Sequence, residues 1–293
     1  MQTQANKDFL EKGWQECEAI TKKYGTSYYF ATQFFPKDIK RAIYSIYSFA
    51  RIPDEIVDDP NLKDSAEAIA KLNEWRDEWL EAMQNGRGKT PIMHAIVHTF
   101  QTKNIPVSEG EAFLKSMFMD EEKFVYENYA ELEKYMYGSA GVIGLLVTRI
   151  VGYSSENAFQ YALKLGYAFQ LTNFLRDIKA DFQLLGRIYM PLDELAQFNL
   201  TADDIKNEVY DERFIDFMKF QIERNRQIYR ESLLGIPMLK WHGRFAVKIS
   251  YVLYKAILRE IEKVNYNVYL GRVRTNLRQK IWLTTKALVG IYE

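Results

Sequence analysis

The stretch GYAFQLTNFLRDIKADF, residues 166–182, combines an apolar helical pattern with a regular stripe of polar side chains. The polar residues recur at intervals of three, four and four, and they are Gln170, Asn173, Asp177 and Asp181. In a helix this spacing stacks all four side chains on one face. Two carboxylates one turn apart repel each other, and most of their neighbours here are aromatic or aliphatic. We therefore predict a helix whose polar stripe faces something other than bulk water.

A second acidic stretch, YSFARIPDEIVDDP, begins at Tyr47. It places Asp54 and Asp58 one helical turn apart, with Arg51 about one turn earlier. Alone, the pattern D-x-x-x-D is a weak signal, because ordinary surface helices contain it by chance. The two stretches together are a stronger signal, since Arg176 precedes the other pair of aspartates.

Two such helices facing each other would gather four carboxylates around one space. Repulsion and lost hydration would destabilise that arrangement unless cations neutralise it. Mg²⁺ prefers oxygen ligands and typically takes one or two carboxylates together with phosphate oxygens of a substrate. Carboxylates, arginines and aromatic residues together therefore predict metal-assisted handling of a diphosphate on an apolar molecule. The amide oxygen of Asn173 would serve as a neutral ligand.

Composition narrows the class of protein further. The chain has 293 residues, 47% of them hydrophobic, which is ample for a packed core. Its 39 basic and 39 acidic residues balance, so nothing favours nucleic acid as a partner. The single cysteine, Cys17, fits a reducing compartment. No signal peptide is recognisable at the start, and AGVIGLLV (140–147) is too short to cross a bilayer. We expect a soluble, cytoplasmic protein without a transmembrane segment; attachment to a membrane surface stays open.

Helical periodicity dominates the rest of the chain, and strand-like alternation is hard to find. Ile39, Ile43 and Ile46 fall on one helical stripe, for example. Further periodic segments cover roughly 107–136, 139–152, 155–183, 209–234 and 243–265. The prolines fall mostly between these segments, where helix boundaries are expected. The sequence predicts an all-α fold in a single domain, residues 1–293.

Several motifs, taken in order along the chain, resemble the squalene/phytoene synthase family of head-to-head prenyl-diphosphate synthases. They are YGTSYYFATQFFP (24–36), YSFARIPDEIVDD (47–59), YMYGSAGVIGLL (135–146), LGYAFQLTNFLRDIKADF (165–182), GRIYMPLDEL (186–195) and LYKAILREIEKVNYNVYLGRVR (253–274). The resemblance runs nearly from end to end. It implies a helical bundle of the isoprenoid synthase type with a central cavity.

The resemblance also implies roles for individual residues. Positions that hold Mg²⁺ in the family match Asp54, Asp58, Asn173, Asp177 and Asp181. Positions that contact the substrate, chiefly its diphosphates, match Tyr24, Gly25, Thr26, Ser27, Tyr47, Arg51, Gln170, Asn173, Arg176, Tyr254 and Arg272. Positions that line the prenyl channel match Tyr135 and Gly144. The residues expected to act in catalysis are Asp54, Asp58, Asp177 and Asp181, with Arg51 and with Tyr47 as a proton-transfer or cation-stabilising group.

The implied reaction joins two prenyl diphosphates head to head. Mg²⁺, with Mn²⁺ as an alternative, would assist departure of diphosphate, and a cyclopropyl intermediate would rearrange to a linear hydrocarbon. We expect phytoene from two C20 geranylgeranyl diphosphates, because YMYGSAGVIGLL and GRIYMPLDEL are most similar to the carotenoid branch. NADPH is not expected, since no nicotinamide-binding glycine motif follows a strand. Contact with a membrane surface would serve product release.

Two alternatives stay open. One is squalene or dehydrosqualene formation from two C15 farnesyl diphosphates. The other is a non-catalytic relative acting as a scaffold or assembly factor, although such a protein would be expected to lose carboxylates that this chain keeps.

The chain departs from the family pattern at three places. Gly25 stands where many members have serine, and Pro53 directly precedes Asp54, which predicts a kink in the first acidic helix. The loop between Asp181 and Arg187 is one residue longer than usual. These departures put the fine geometry in question without touching an expected metal ligand.

Overall fold

The computed structural model describes residues 4–59, 62 and 65–288. Within these ranges the chain is helical, and its extended structure is limited to two isolated bridges, Val125 with Ile188 and Tyr153 with Leu239. The α-helices are α1 (Gln4–Tyr24), α2 (Thr26–Thr32), α3 (Lys37–Val57), α4 (Ser65–Asn85), α5 (Pro91–Thr102), α6 (Val107–Glu122), α7 (Tyr129–Met136), α8 (Val142–Val151), α9 (Ala158–Leu185), α10 (Leu192–Gln197), α11 (Ala202–Lys206), α12 (Glu212–Ser232), α13 (Trp241–Lys263) and α14 (Leu277–Leu288). A π-helical turn (Tyr137–Gly141) precedes α8, and a 3₁₀ helix (Leu233–Met238) follows α12. The predicted all-α class is confirmed.

Helix α9 is the central element. It packs against α8, α12 and α13, and it ends where Gly186 adopts a left-handed backbone conformation with φ 68°. The approach of α8 is close at Gly144, where an added Cβ would lie 2.3 Å from the carbonyl oxygen of Ala162. Glycine at this position therefore lets the two helices touch backbone to backbone.

Helix α3 carries the first acidic stretch. It begins after Pro36 and buries the predicted stripe of Ile39, Ile43 and Ile46. The helix continues through Pro53 and ends at Val57. Asp58, the second aspartate of the stretch, follows Val57 directly and therefore lies where the chain leaves the helix.

The hydrophobic core consists of two large clusters, one around α9, α12 and α13 and one around α3 to α6 and α8. Leu165 and Leu233 pack against both. A cavity of about 640 Å³ lies among α2, α3, α8, α9 and α13. In the described part of the chain, no helix is both long enough and apolar enough to cross a membrane.

One predicted segment is wrong in its boundaries. The periodicity over 107–136 predicts one helix, whereas α6 ends at Glu122 and α7 begins at Tyr129. The intervening residues pair with the chain after α9, where the amide of Ile188 donates to the carbonyl of Phe124 over 2.8 Å. Asn128 then caps α7 by accepting from the amide of Glu131. Tertiary pairing thus overrides the continuous pattern.

Candidate active site

The aspartates of α3 are held by arginines. Arg51 donates to the carboxylate of Asp54, and its guanidinium lies 4.6 Å from the centre of the Tyr24 ring. Arg187, from the loop after α9, donates to Asp58 over 3.0 Å. Burial, and next the charge of Asp58, raises the pKa of Asp54 to about 7 despite the opposing effect of Arg51. At this end of the helix, burial and the neighbouring carboxylate therefore both oppose ionisation of Asp54.

Arg187 is buried and joins three segments. It also donates to the carbonyl of Val57 at 3.2 Å and to the carbonyl of Asp120 at 3.1 Å. One guanidinium thereby fixes the end of α3, the last turn of α6 and the start of the loop that follows α9.

A buried carboxylate, Asp120, lies beside that arginine. Its two oxygens accept hydrogen bonds from the hydroxyls of Tyr135 and Tyr189, each at 2.8 Å. Burial raises the pKa of Asp120 to about 6, and the Arg187 charge opposes the increase. Tyr135 is predicted to line the prenyl channel; its hydroxyl donates to Asp120, and the residue is not among those that line the cavity.

In the second acidic patch, on α9, one of the two aspartates is paired with arginines. Asp177 accepts from Arg176 at 2.8 and 2.5 Å and from Arg272 at 2.9 and 2.8 Å. Arg272 comes from the chain after α13, so this contact ties the C-terminal part to the site. Among the described residues, the Asp181 carboxylate makes no ion pair. Burial, then Asp177, then Asp58, raises its pKa well above the usual range.

The structure thus brings the two predicted patches together. Asp58 follows α3 and Asp181 lies on α9, yet the charge of Asp58 helps to raise the pKa of Asp181. The sequence predicts that cations relieve this repulsion, and the guanidinium groups supply part of that relief for Asp54, Asp58 and Asp177.

The donor set suits a divalent cation without forming a complete cage. In the ranges that the structure describes, no three carboxylate, imidazole or thiol groups converge closely enough to hold a metal ion by themselves. Mg²⁺ does not need such a cage, because it typically binds one or two carboxylates and completes its shell with water and phosphate oxygens. Burial, and next the charge of a neighbouring aspartate, raises the pKa of Asp54 and of Asp181, and a bound cation would favour the ionised form of both.

The large cavity opens beside these carboxylates. The predicted site residues that line it are Tyr24, Gly25, Thr26, Tyr47, Gly144, Gln170, Asn173, Arg176, Tyr254 and Arg272. The four aspartates and Arg51 stand next to this wall without forming it. Deeper in, the wall is mostly apolar and aromatic, as at Ile46, Ile143 and Phe169. The cavity therefore has a charged end and an apolar interior.

Gly25 has a steric reason to be glycine. A Cβ at this position would lie 2.9 Å from the Tyr47 ring, which stacks on Tyr28 with ring centres 5.2 Å apart. Glycine at position 25 thus lacks the hydroxyl of a serine but allows the Tyr47 ring to approach the backbone closely. Ser27, also predicted to contact substrate, belongs to α2, but its side chain lies outside the described part of the structure.

Sequence reasoning missed Asp120, Tyr189 and the position of Arg187. A weak signal existed for the first, because SMFMDEE places its first acid directly after an apolar run. The other two lie inside GRIYMPLDEL, a motif whose resemblance to the family implies no role for either residue. Only the folded structure shows that SMFMDEE and GRIYMPLDEL lie next to each other.

Residues 21–279 match the sequence model of the squalene/phytoene synthase family. The chain belongs to this family. It is 32% identical over 300 residues to the 15-cis-phytoene synthase of Synechocystis sp., a match that covers 95% of this chain and 87% of that protein. It is 34% identical over 275 residues to the 15-cis-phytoene synthase of Synechococcus elongatus, covering 90% and 88% of the two chains.

Solved structures of the family share the fold. A dehydrosqualene synthase in complex with a ligand superposes with a TM-score of 0.88 at 24% identity, covering 96% of this chain and 97% of that one. The squalene synthase HpnC from Alicyclobacillus acidocaldarius gives a TM-score of 0.80 at 25% identity, covering 88% and 96%. The family consists of divalent-metal-dependent enzymes that use prenyl diphosphates, and this chain is accordingly a prenyltransferase.

Proposed function

We propose that this chain condenses two geranylgeranyl diphosphates head to head to phytoene, through a cyclopropyl diphosphate intermediate and with release of diphosphate. The observation that carries the proposal is the union of two acidic patches with one apolar cavity of about 640 Å³. The curated relatives at 32–34% identity support the C20 substrate, because they are phytoene synthases.

Mg²⁺ is the metal we propose, held by residues that flank the charged end of the cavity, with Mn²⁺ as an alternative. The ligands would be drawn from Asp54, Asp58, Asn173, Asp177 and Asp181. When bound, the metal would neutralise diphosphate charge and so make the diphosphate a better leaving group.

The arginines at this end bind and orient the diphosphates. Arg176 and Arg272 line the cavity, and both donate to Asp177. Because guanidinium pairs with phosphate as well as with carboxylate, a diphosphate can take over these donors from the aspartate. That exchange would leave the Asp177 oxygens available as ligands. Arg51 would act in the same way at Asp54.

The interior of the cavity protects charged intermediates. Phe169 and Tyr254 stack with ring centres 4.3 Å apart, and both line the cavity. Their π faces stabilise a carbocation as they would any cation, while the apolar wall excludes water that would quench it. Burial raises the pKa of Tyr47, so its phenol stays protonated and serves through its ring or as a hydrogen-bond donor.

Squalene or dehydrosqualene formation from C15 substrates is the second candidate. The solved structures named above favour it only at the level of the fold, since they are 24–25% identical. A test offers purified protein geranylgeranyl or farnesyl diphosphate, with and without NADPH, and identifies the products by chromatography. A C40 product that forms without NADPH supports the proposal; a C30 product overturns it.

A scaffold without activity is the third candidate. It is separated from the other two by measuring diphosphate release with Mg²⁺ and after chelation of the metal. Release that depends on Mg²⁺ supports the enzyme, whereas no release under either condition supports the scaffold.

We further propose that the protein works in the cytoplasm at a membrane surface. The single thiol, Cys17, is buried and fits a reducing compartment. A C40 hydrocarbon is far more soluble in lipid than in water, so release into a bilayer is favourable. Nucleic acid has no part in this proposal, since the whole chain carries no net charge.

A further inference from the structure

Helix α14 presents an apolar face to the outside. Leu277, Ile281 and Trp282 are 64%, 55% and 54% exposed. On the opposite side, Leu283 and Ala287 are buried in the cluster that contains α13. A helix of a water-soluble protein normally turns its polar side outward, so this orientation requires another explanation.

The segment around this helix is strongly basic. Residues 270–288 contain three arginines and two lysines and no acidic residue, although the whole chain is neutral. Arg278 and Lys286 lie on the helix itself, and the ammonium group of Lys286 is 4.2 Å from the Trp282 ring centre. Positive charge therefore surrounds the exposed apolar side chains.

The same segment borders the cavity. Arg272, Arg274 and Lys280 contribute to the cavity wall, and Leu270 just before them is 81% exposed. Whatever covers the outer face of α14 would thus lie next to residues of the cavity wall.

We propose that residues 270–288 form a membrane-docking surface that lays Leu270, Leu277, Ile281 and Trp282 into the interface of an anionic lipid bilayer. Basic side chains around an apolar face are the pattern of helices that lie in a bilayer surface, where anionic headgroups attract the charges. A symmetric contact with a second copy of this chain is less favourable, because it would bring two basic segments that lack acidic residues against each other. The link to product release rests on the proposed function; the docking itself does not.

The test is flotation of the full chain with vesicles. One set contains phosphatidylcholine alone, and the other contains phosphatidylcholine with phosphatidylglycerol. Two variants remove the surface: Ile281→Ser with Trp282→Ser, and Arg278→Gln with Lys286→Gln. Matched controls are Trp241→Ser, whose side chain is 81% exposed on α13, and Lys22→Gln on α1.

We expect the wild type and both controls to float with the anionic vesicles and not with phosphatidylcholine alone. Each double variant should bind the anionic vesicles roughly tenfold more weakly. Binding by the double variants that equals wild type, or a wild type that ignores anionic vesicles, would overturn the proposal. So would sedimentation showing that Ile281→Ser with Trp282→Ser turns an oligomer into a monomer, since a second copy would then cover the face.

Activity on detergent-dispersed substrate keeps the two proposals apart. The double variants should retain wild-type turnover there, because none of their residues lies in the cavity wall. Vesicle binding without turnover would contradict the proposed function while leaving the docking surface intact. Turnover without vesicle binding would contradict the docking surface while leaving the proposed function intact.

Discussion

Single side chains at the charged end of the cavity are arranged in pairs of opposite sign. Asp177 accepts hydrogen bonds from two arginines, one on its own helix and one from the distant C-terminal part. The same guanidinium groups are suited to diphosphate oxygens. The pairing therefore holds the arginines at the positions where the substrate would use them.

Loss of one carboxylate should cost most of the activity. For Asp54→Ala and for Asp177→Ala we expect kcat to fall about 100-fold or more at saturating Mg²⁺, because metal and diphosphate would lose a ligand. Diphosphate release measures the effect. Asp203→Ala, at a mainly exposed side chain on α11, is the control and should stay near wild type. Activity within tenfold of wild type in either site variant would contradict the assignment.

We expect the side chain of Thr32 to influence which prenyl chain length the enzyme prefers. This residue is buried and lines the cavity, and its hydroxyl donates to the carbonyl of Tyr28 over 2.8 Å. A phenylalanine there would occupy space that the longer C20 chain needs. We expect Thr32→Phe to shift the kcat/KM ratio toward farnesyl diphosphate by about 10-fold, the usual weight of one pocket contact. An unchanged ratio would remove Thr32 from the determinants of chain length.

The helices set the shape of the cavity through their contacts. Gly144 lines the cavity and also brings α8 against the backbone of α9. Small residues at such a contact decide how close two helices come, and thereby how wide the space beside them is. The packing of α8 against α9 therefore also determines the shape of the cavity.

Gly144→Ala should therefore destabilise the protein and alter the cavity. Its Cβ would meet a backbone oxygen at 2.3 Å, which cannot move without shifting a helix. We expect a loss of about 1–3 kcal/mol in the free energy of unfolding, as for other overpacked cores. Urea denaturation measures it. A midpoint equal to that of wild type would show that α8 and α9 separate without cost.

The sequence predicted the helices that carry strong periodicity and both acidic patches. It did not predict the break between α6 and α7, because that break depends on pairing with Ile188, far along the chain. For the same reason it missed Asp120 and Arg187, which meet only in the folded protein. Short-range patterns specify local structure, whereas contacts between distant segments need the fold.

On the scale of the whole molecule, the buried carboxylates couple folding to pH and to ligands. We propose that residues 1–293 form one domain that unfolds as a unit, since Leu165 and Leu233 pack against both core clusters. In the folded state the pKa of Asp54 is about 7 and that of Asp120 about 6, against an ordinary value of 3.8. Between these values the folded protein retains protons that the unfolded chain has already lost. The contribution of these groups to stability is therefore present below about pH 4 and is lost as the pH rises to about 7.

This linkage predicts how Asp54→Asn behaves in thermal unfolding. Between pH 5 and pH 8 the Tm of the protein without ligand should fall less in this variant than in wild type, because a titrating carboxyl is removed. Mg²⁺ with a non-reactive diphosphate analogue should raise the wild-type Tm at pH 8. Asp203→Asn serves as the control and should keep the wild-type pH dependence. A Tm difference between pH 5 and pH 8 that is the same in Asp54→Asn and wild type would contradict the linkage.

The central claim, that this chain makes phytoene from two C20 units, is tested most directly by competition. Equal concentrations of geranylgeranyl and farnesyl diphosphate, differently labelled, are incubated with the protein and Mg²⁺ in the absence of NADPH, and the hydrocarbons are separated by chromatography. We predict that the C20 label appears predominantly in phytoene and that diphosphate is released alongside it. A product carrying mainly the C15 label, as squalene or dehydrosqualene, would contradict the account.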